Sequence, residues 1–344
     1  MISSTAEMAS TRLMAPGDNV VVSNRLYGGS ITQFTHTIRR FGRETRFVDI
    51  EDSGAVARAC NKRTKAIFCE SISNPGGHVT DLPKIAAIAD RKGVPLIVDN
   101  TTATPYLCNP IAMGATIVVH STTKYLSGNG TSMRGAIVDS GKFDWSASDR
   151  FPSLSQPELA YHGLKFHEAF GPMAYTLHGH AVGLRDLGMT MAPMNAFQTL
   201  LGIETLSLRM DRHVANAQKV AQWLEADERV SFVSYPGLKS SPYARRAKKL
   251  YPKGAGALFT FGVRGGYEAC IRLVDSLKLF SHLANLGGAR SLVIHSASTT
   301  HRQLTPEQRA AAGAGDEVVR LSIGIEDYRD LIADLDQALA KATA

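Results

Sequence analysis

The sequence predicts a two-part α/β protein: a large domain built on a mostly parallel sheet, followed by a smaller α+β domain. Three observations carry this. Short apolar runs too continuous for half-exposed strands recur through the first 140 residues; segments with helical periodicity separate several of them; and a long periodic stretch then leads into shorter, more widely spaced strands. At 344 residues and 44% hydrophobic, the chain is long enough to bury the cores of two domains.

Taken in order, the predicted strands of the large domain are Asn19 to Ser23, Thr45 to Ile50, Thr64 to Ser71, Pro95 to Asn100, Thr116 to His120 and Gly135 to Val138. Valine, isoleucine and phenylalanine dominate them, and turn-forming residues bound them. Helices are expected at Gly29 to Arg40, Ser53 to Cys60 and Leu82 to Lys92, the last stopped by Gly93. Asn195 to Ala226 places apolar residues at helical spacing and reads as one bridging helix, so the domains are expected to divide as residues 1–194 and 195–344. Beyond it lie strands at Val230 to Tyr235, Ala257 to Val263, Ser291 to His295 and Glu317 to Ile325, with helices at Gly266 to Lys278 and Tyr328 to Lys341.

Composition excludes several classes. No apolar run reaches the length of a membrane span, and the first residues lack the pattern of a secretory signal, so the protein is expected in the cytoplasm. Cys60, Cys69, Cys108 and Cys270 are scattered with no CxxC pair, which argues against a disulfide framework or a thiolate zinc site. The net charge of +7 is dispersed. Its densest cluster, Arg245, Arg246, Lys248 and Lys249, has no interleaved aromatics and reads as a solvated helix face rather than a nucleic-acid surface. His178 and His180 sit one residue apart, a spacing that splits their rings to different faces of a helix, so no metal site is expected there.

The chemistry-bearing segment is VVHSTTKYLSGNGT, with Lys124 just after an apolar strand and just before glycines. A lysine at a strand end can form a Schiff base with an aldehyde cofactor while neighbouring hydroxyls, Ser121 and Thr123, hold its phosphate. Asp99 ends the preceding strand. A carboxylate there meets the other requirement of pyridoxal phosphate, which draws electrons well only while its ring nitrogen keeps a proton. In open α/β sheets ligands bind beyond the carboxyl ends of strands, and Asn74, Asp99 and Lys124 all fall near such ends.

Seven runs in order then resemble the Cys/Met-metabolism pyridoxal-phosphate enzymes: GDNVVVSNRLYGGS, ESISNPGG, VDNTTATP, HSTTKYLSGNG, ETLSLRMDRH, LGGARSLVIHSASTTH and VRLSIGIED. The resemblance covers essentially the whole chain and implies a fold-type I transferase. Gly128 to Ser132, Ile137 to Trp145 and Tyr161 to Gly163 are most similar to the O-acetylhomoserine sulfhydrylase branch. That branch implies replacement of the acetyl group of O-acetylhomoserine by sulfide or methanethiol, within methionine biosynthesis. O-Succinylhomoserine is the alternative donor; cystathionine γ-synthase and methionine γ-lyase are the alternative activities, and a non-catalytic subunit is a third reading.

Carried over residue by residue, the resemblance implies that Lys124 bonds the cofactor and moves protons, and that Asp99 faces its ring nitrogen. Tyr27 would stack on the ring and pass a proton to the leaving group, and Asn74 would bind the 3-oxygen. Ser121 and Thr123 would bind phosphate. Arg320 would grip the substrate carboxylate through its two-pronged guanidinium, with Asn285 and Ser298 assisting. Family members are implied to assemble as dimers or tetramers and to carry a further segment ahead of the point where this sequence starts. That segment holds a Tyr-x-Arg pair reaching a neighbour's phosphate, and no such pair precedes Gly17. Its phosphate-cradling turn aligns with the first residues here, so Ile2 and Ser3 are expected to offer backbone N–H groups. Without the pair, weak cofactor binding is expected, whether the start is mis-assigned, truncated or completed by another chain.

Overall fold

The computed structural model describes residues 12–300, 302, 309 and 313–343; Ile2 and Ser3 lie outside these. Strands β1 (Asn19–Ser23), β2 (Glu44–Val48), β3 (Thr64–Glu70), β4 (Leu96–Asp99), β5 (Ile117–Ser121) and β6 (Gly135–Asp139) form one sheet in the order β2-β1-β3-β4-β5-β6. Every neighbouring pair is parallel except β5 with β6. Both faces are covered, as the continuous apolar runs require. Along β3, Ala66 and Phe68 enter one buried cluster while Ile67 and Cys69 enter another; Ile97 against Leu96 and Val98 repeats the alternation on β4.

Helices join the parallel strands. The segment from Gly28 to Phe41 begins as α1 (Gly28–Thr32), passes through a wider and then a tighter turn, and ends at Gly42 with φ 70°. α2 (Ser53–Ala59) starts where the Asp52 carboxylate accepts from Ala55 N–H at 2.9 Å. α3 (Leu82–Lys92) has Asp81 as its N-terminal acceptor and Gly93, φ 61°, as its left-handed stop.

The bridging segment departs from expectation. It is two helices, α4 (Pro193–Glu204) and α5 (Leu206–Glu225), broken at Thr205. Side chains take over the carbonyl at the break: Thr205 Oγ1 donates to Gly202 O at 3.3 Å, and the Arg209 guanidinium donates to the same oxygen. Gly202 lies against the backbone that follows Lys124; a Cβ there would sit 2.3 Å from Leu126 O. Close approach of α4 to the functional loop therefore sets the break, and helical periodicity carries no trace of it.

A second sheet follows, in the order β7-β8-β11-β10-β9, from β7 (Val230–Ser234), β8 (Leu258–Val263), β9 (Ser281–His282), β10 (Leu292–His295) and β11 (Val318–Ser322). It is antiparallel apart from β9 with β10. α6 (Ala244–Leu250), α7 (Gly266–Ser276) and α8 (Tyr328–Ala342) accompany it. Met210, Ala217, Val220 and Leu224 of α5 belong to the same apolar cluster as Val21 and Val98 of the first sheet, Phe259 of the second and Leu335 of α8, so one core runs through both. The basic cluster is on α6 as expected, with Arg245, Lys248 and Lys249 exposed. Arg246 is the exception: it turns inward and pairs with Glu51 at 2.6 Å.

Candidate active site

The carboxyl ends of β1, β3, β4 and β5 face β11 across a cleft lined by Tyr27, Glu70, Asn74, Asp99, Ser121, Lys124, Asn285 and Arg320, among others. Lys124 is in the first turn after β5, where its own φ/ψ of −92°/−131° interrupts the helical path. It is 8% exposed, and its Nζ donates to Asn285 Oδ1. Burial first, and then the positive charge of Arg320, bring its ammonium down to about 8, with Asp99 opposing. Close to neutral pH the amine is thus partly unprotonated.

Asp99 ends β4, also 8% exposed, and its Oδ1 accepts from Thr101 N–H at 2.8 Å. Burial pushes its carboxyl above the usual range, against the pull of Thr101 and Lys124. Arg320, mid-strand on β11, reaches across from the second sheet. It donates to Asn74 Oδ1 and to Asn285 O, each at 3.1 Å, while its Nε is buried with no partner among the described residues. Burial lowers its guanidinium to about 10, which leaves it charged at neutral pH.

Of the residues singled out from the sequence, the cleft gathers Lys124, Asp99, Tyr27, Asn74, Ser121, Arg320 and Asn285. Thr123 and Ser298 are not part of its lining. Thr123 Oγ1 exchanges hydrogen bonds with the backbone of Arg134, accepting at 3.1 Å and donating at 3.4 Å. Ser298 Oγ engages His295, at 3.0 Å to Nδ1 and 3.2 Å to the carbonyl. Ser121 differs, since its Oγ is buried and has no partner among the described residues.

Two residues that sequence reading passed over complete the arrangement. Thr101 donates its N–H to Asp99 and accepts from Ser121 N–H at 2.8 Å, tying two strand ends together. Glu70 ends β3 in register with Asp99 and accepts from the N–H groups of Tyr27 and Asn74. A signal was present: like Asp99, Glu70 is an acid closing an apolar strand.

Residues 3–340 match the family described as Cys/Met metabolism PLP-dependent enzyme. The chain belongs to this family. An O-acetyl-L-homoserine sulfhydrylase of Thermus thermophilus is 47% identical over 97% of this chain and 79% of its own. A homocysteine synthase of Schizosaccharomyces pombe is also 47% identical, with the same coverage. Among solved structures, one from Campylobacter jejuni that carries N′-pyridoxyl-lysine-5′-monophosphate superposes with a TM-score of 0.94 at 40% identity, over 98% of this chain and 82% of that one. A cystathionine γ-lyase of Lactobacillus plantarum gives 0.84 at 30%, over 99% and 81%. The fold is accordingly fold-type I, and pyridoxal phosphate is the family's cofactor.

The cleft fits that cofactor. A partly unprotonated buried amine suits an aldehyde, the unpartnered Ser121 hydroxyl suits a phosphate oxygen, and a buried carboxylate at Asp99 gains a partner in a protonated ring nitrogen.

Proposed function

We propose that the chain catalyses γ-replacement on O-acetylhomoserine, with sulfide or methanethiol giving homocysteine or methionine plus acetate. The convergence of Lys124, Asp99, Tyr27, Asn74 and Arg320 on one cleft carries the reading, and the sulfhydrylase relatives at 47% identity favour this reaction over that of the lyase at 30%. Pyridoxal phosphate, when bound, supplies the electron sink for charge developing at the substrate α-carbon.

The chain's own residues do the rest. Arg320 receives the substrate carboxylate, exchanging its bonds to Asn74 and Asn285 O for two parallel ones to the ligand. That anchors Cα within reach of Lys124, whose amine is basic enough to take the Cα proton yet not permanently charged. The amine would hand that proton to the cofactor's C4′ carbon, so becoming free to take one from Cβ, and would return protons to Cβ and Cα after sulfur has added. Tyr27 would stack on the ring and offer its phenol proton to the departing acetate as the Cγ–O bond breaks, and the Cγ–S bond would form afterwards, when sulfide or methanethiol adds at Cγ. Asp99 would hold the ring nitrogen's proton, and Asn74 and Ser121 would fix the 3-oxygen and phosphate. Thr123 would have to leave Arg134 to join Ser121, and Ser298 would have to leave His295 to assist Arg320.

The reading extends to organisation. We place the domain division at residues 194/195, inside the first turn of α4, which starts at Pro193; no helix among the described residues is long and apolar enough to cross a membrane, and we assign the protein to the cytoplasm as a homo-oligomer.

The test is a visible spectrum of the purified protein with added pyridoxal phosphate, borohydride reduction and peptide mapping, followed by turnover of O-acetylhomoserine. Reduced cofactor on Lys124 and acetate release that requires sulfide or methanethiol are expected. Acetate release independent of any thiol would instead assign a lyase.

A further inference from the structure

The strand order opens a crevice between β1 and β3, because the chain leaves β1 toward β2 on one side and leaves β3 toward β4 on the other. The two loops that diverge there carry Tyr27 and Asn74, the residues assigned above to the face of the cofactor ring and to its 3-oxygen. Glu70 stands at the divergence, 6% exposed. Its Oε1 accepts from Tyr27 N–H at 2.8 Å and its Oε2 from Asn74 N–H at 2.9 Å. Asn74 in turn accepts from Arg320 at 3.1 Å, so one carboxylate is linked through two short contacts to the stacking residue, to the 3-oxygen ligand and to the substrate's carboxylate anchor.

We propose that Glu70 is a positioning residue for this reaction: its carboxylate clamps the Tyr27 and Asn74 loops at a fixed separation and so sets the tilt of the cofactor ring between them. The proposal rests on the roles given to Tyr27 and Asn74 above. Only a carboxylate can do this with both oxygens. Each takes a backbone N–H, and the charge strengthens both bonds. A glutamine offers a single acceptor, so its amide must turn two donors toward each other at one loop. An aspartate is one methylene short and cannot span the two N–H groups from the same backbone position. A carboxylate that merely satisfied two buried donors would affect stability; a clamp also changes what the bound cofactor looks like and how it reacts.

The experiment compares wild type, Glu70→Gln, Glu70→Asp and Glu70→Gln combined with Asn74→Ala, each loaded with pyridoxal phosphate. Borohydride trapping, visible circular dichroism of the bound cofactor, and kcat and KM for O-acetylhomoserine are measured on each. We expect Glu70→Gln to trap cofactor on Lys124 yet lose visible dichroism, with kcat down about tenfold or more and KM changed by less than about threefold. In the Asn74→Ala background the same change should cost much less, because part of its route is already gone. Wild-type dichroism and kcat in both single variants, or an undiminished loss on top of Asn74→Ala, would overturn the clamp. Should the variants fail to fold, hydrogen exchange on the wild-type holoenzyme decides: the Tyr27 and Asn74 amides must be strongly protected, and rapid exchange at either refutes it. Failure of wild type itself to trap cofactor on Lys124 would strike the functional reading, a result distinct from a wild type that traps it and a variant that behaves identically.

Discussion

At the residue scale, the ionisation of Lys124 has the clearest consequence. Its ammonium is brought to about 8 by burial and by Arg320, so the nucleophilic neutral amine gains population as pH rises toward that value. The rate at which cofactor-free protein captures pyridoxal phosphate should therefore climb about tenfold per pH unit below 8 and level off above it; a flat profile from pH 6 to 9 in rapid-mixing absorbance would contradict the assignment. Lys124→Ala should leave nothing for borohydride to trap and lower turnover by about 10²–10⁴-fold. Arg320→Lys keeps the charge but loses the planar fork, and KM for O-acetylhomoserine should rise by about tenfold or more, as expected for one charged hydrogen bond; an unchanged KM in steady-state assays would remove Arg320 from the carboxylate site. The site was legible in the sequence where a residue's chemistry and its place at a strand end pointed the same way, as for Lys124, Asp99 and Asn74, and, for Arg320 in the middle of β11, where a motif carried it. Thr123 and Ser298 were not legible, because a hydroxyl's partner depends on rotamer and on backbone brought from elsewhere, here Arg134 and His295. Glu70 carried a signal of place, as an acid closing an apolar strand, but not of role: its partners are backbone N–H groups on a loop distant in sequence and on its own loop, which no side-chain pattern announces.

At the scale of elements, local signals sufficed wherever an element is closed by its own residues. α3 runs over the predicted Leu82 to Lys92, since Asp81 and Gly93 mark its ends. Apolar periodicity failed at Thr205, because the cause of that break, contact between Gly202 and the Lys124 loop, is tertiary. Short turns between Pro152 and Asp186 and the two-residue β9 likewise left no pattern long enough to recognise. The contact at Gly202 makes a specific prediction. Gly202→Ala puts a methyl 2.3 Å from Leu126 O, so α4 must shift away from the loop that carries Lys124. The cost should be about 1–3 kcal/mol of overpacking, read as a lower denaturation midpoint, and cofactor capture should slow with it. A midpoint equal to wild type would mean that α4 does not brace the loop. Asp334 on α8 plays the corresponding part in the second sheet's surroundings, accepting from the N–H groups of Lys278, Leu279 and Phe280 after α7.

At the scale of the whole molecule, the working cleft exists only because the two sheets meet. Arg320 comes from one and Asn74 from the other, and contacts away from the cleft hold the pair in place: Arg246 with Glu51, Tyr251 Oη donating to Ser71 O, and Ser234 Oγ donating to Gly76 O. One surface is not accounted for by a single chain. Met194, Phe197 and Leu201 recur at helical spacing along α4, and with Leu200 they form an apolar stripe in which Phe197 is 56% exposed and Leu200 62%. A contiguous exposed stripe of this kind is a contact surface by default. It lies on the helix whose other side touches the Lys124 loop, so covering it would also steady the active site. If a second copy supplies the cover, wild type should run as a dimer or larger in light scattering. Phe197→Asp with Leu200→Asp, which places two charges in the stripe without touching the cleft, should then yield monomer and weaker cofactor retention together. A wild type that is monomeric at micromolar concentration would remove the homo-oligomer from the functional reading, and a monomeric variant that retains cofactor as wild type does would separate assembly from catalysis.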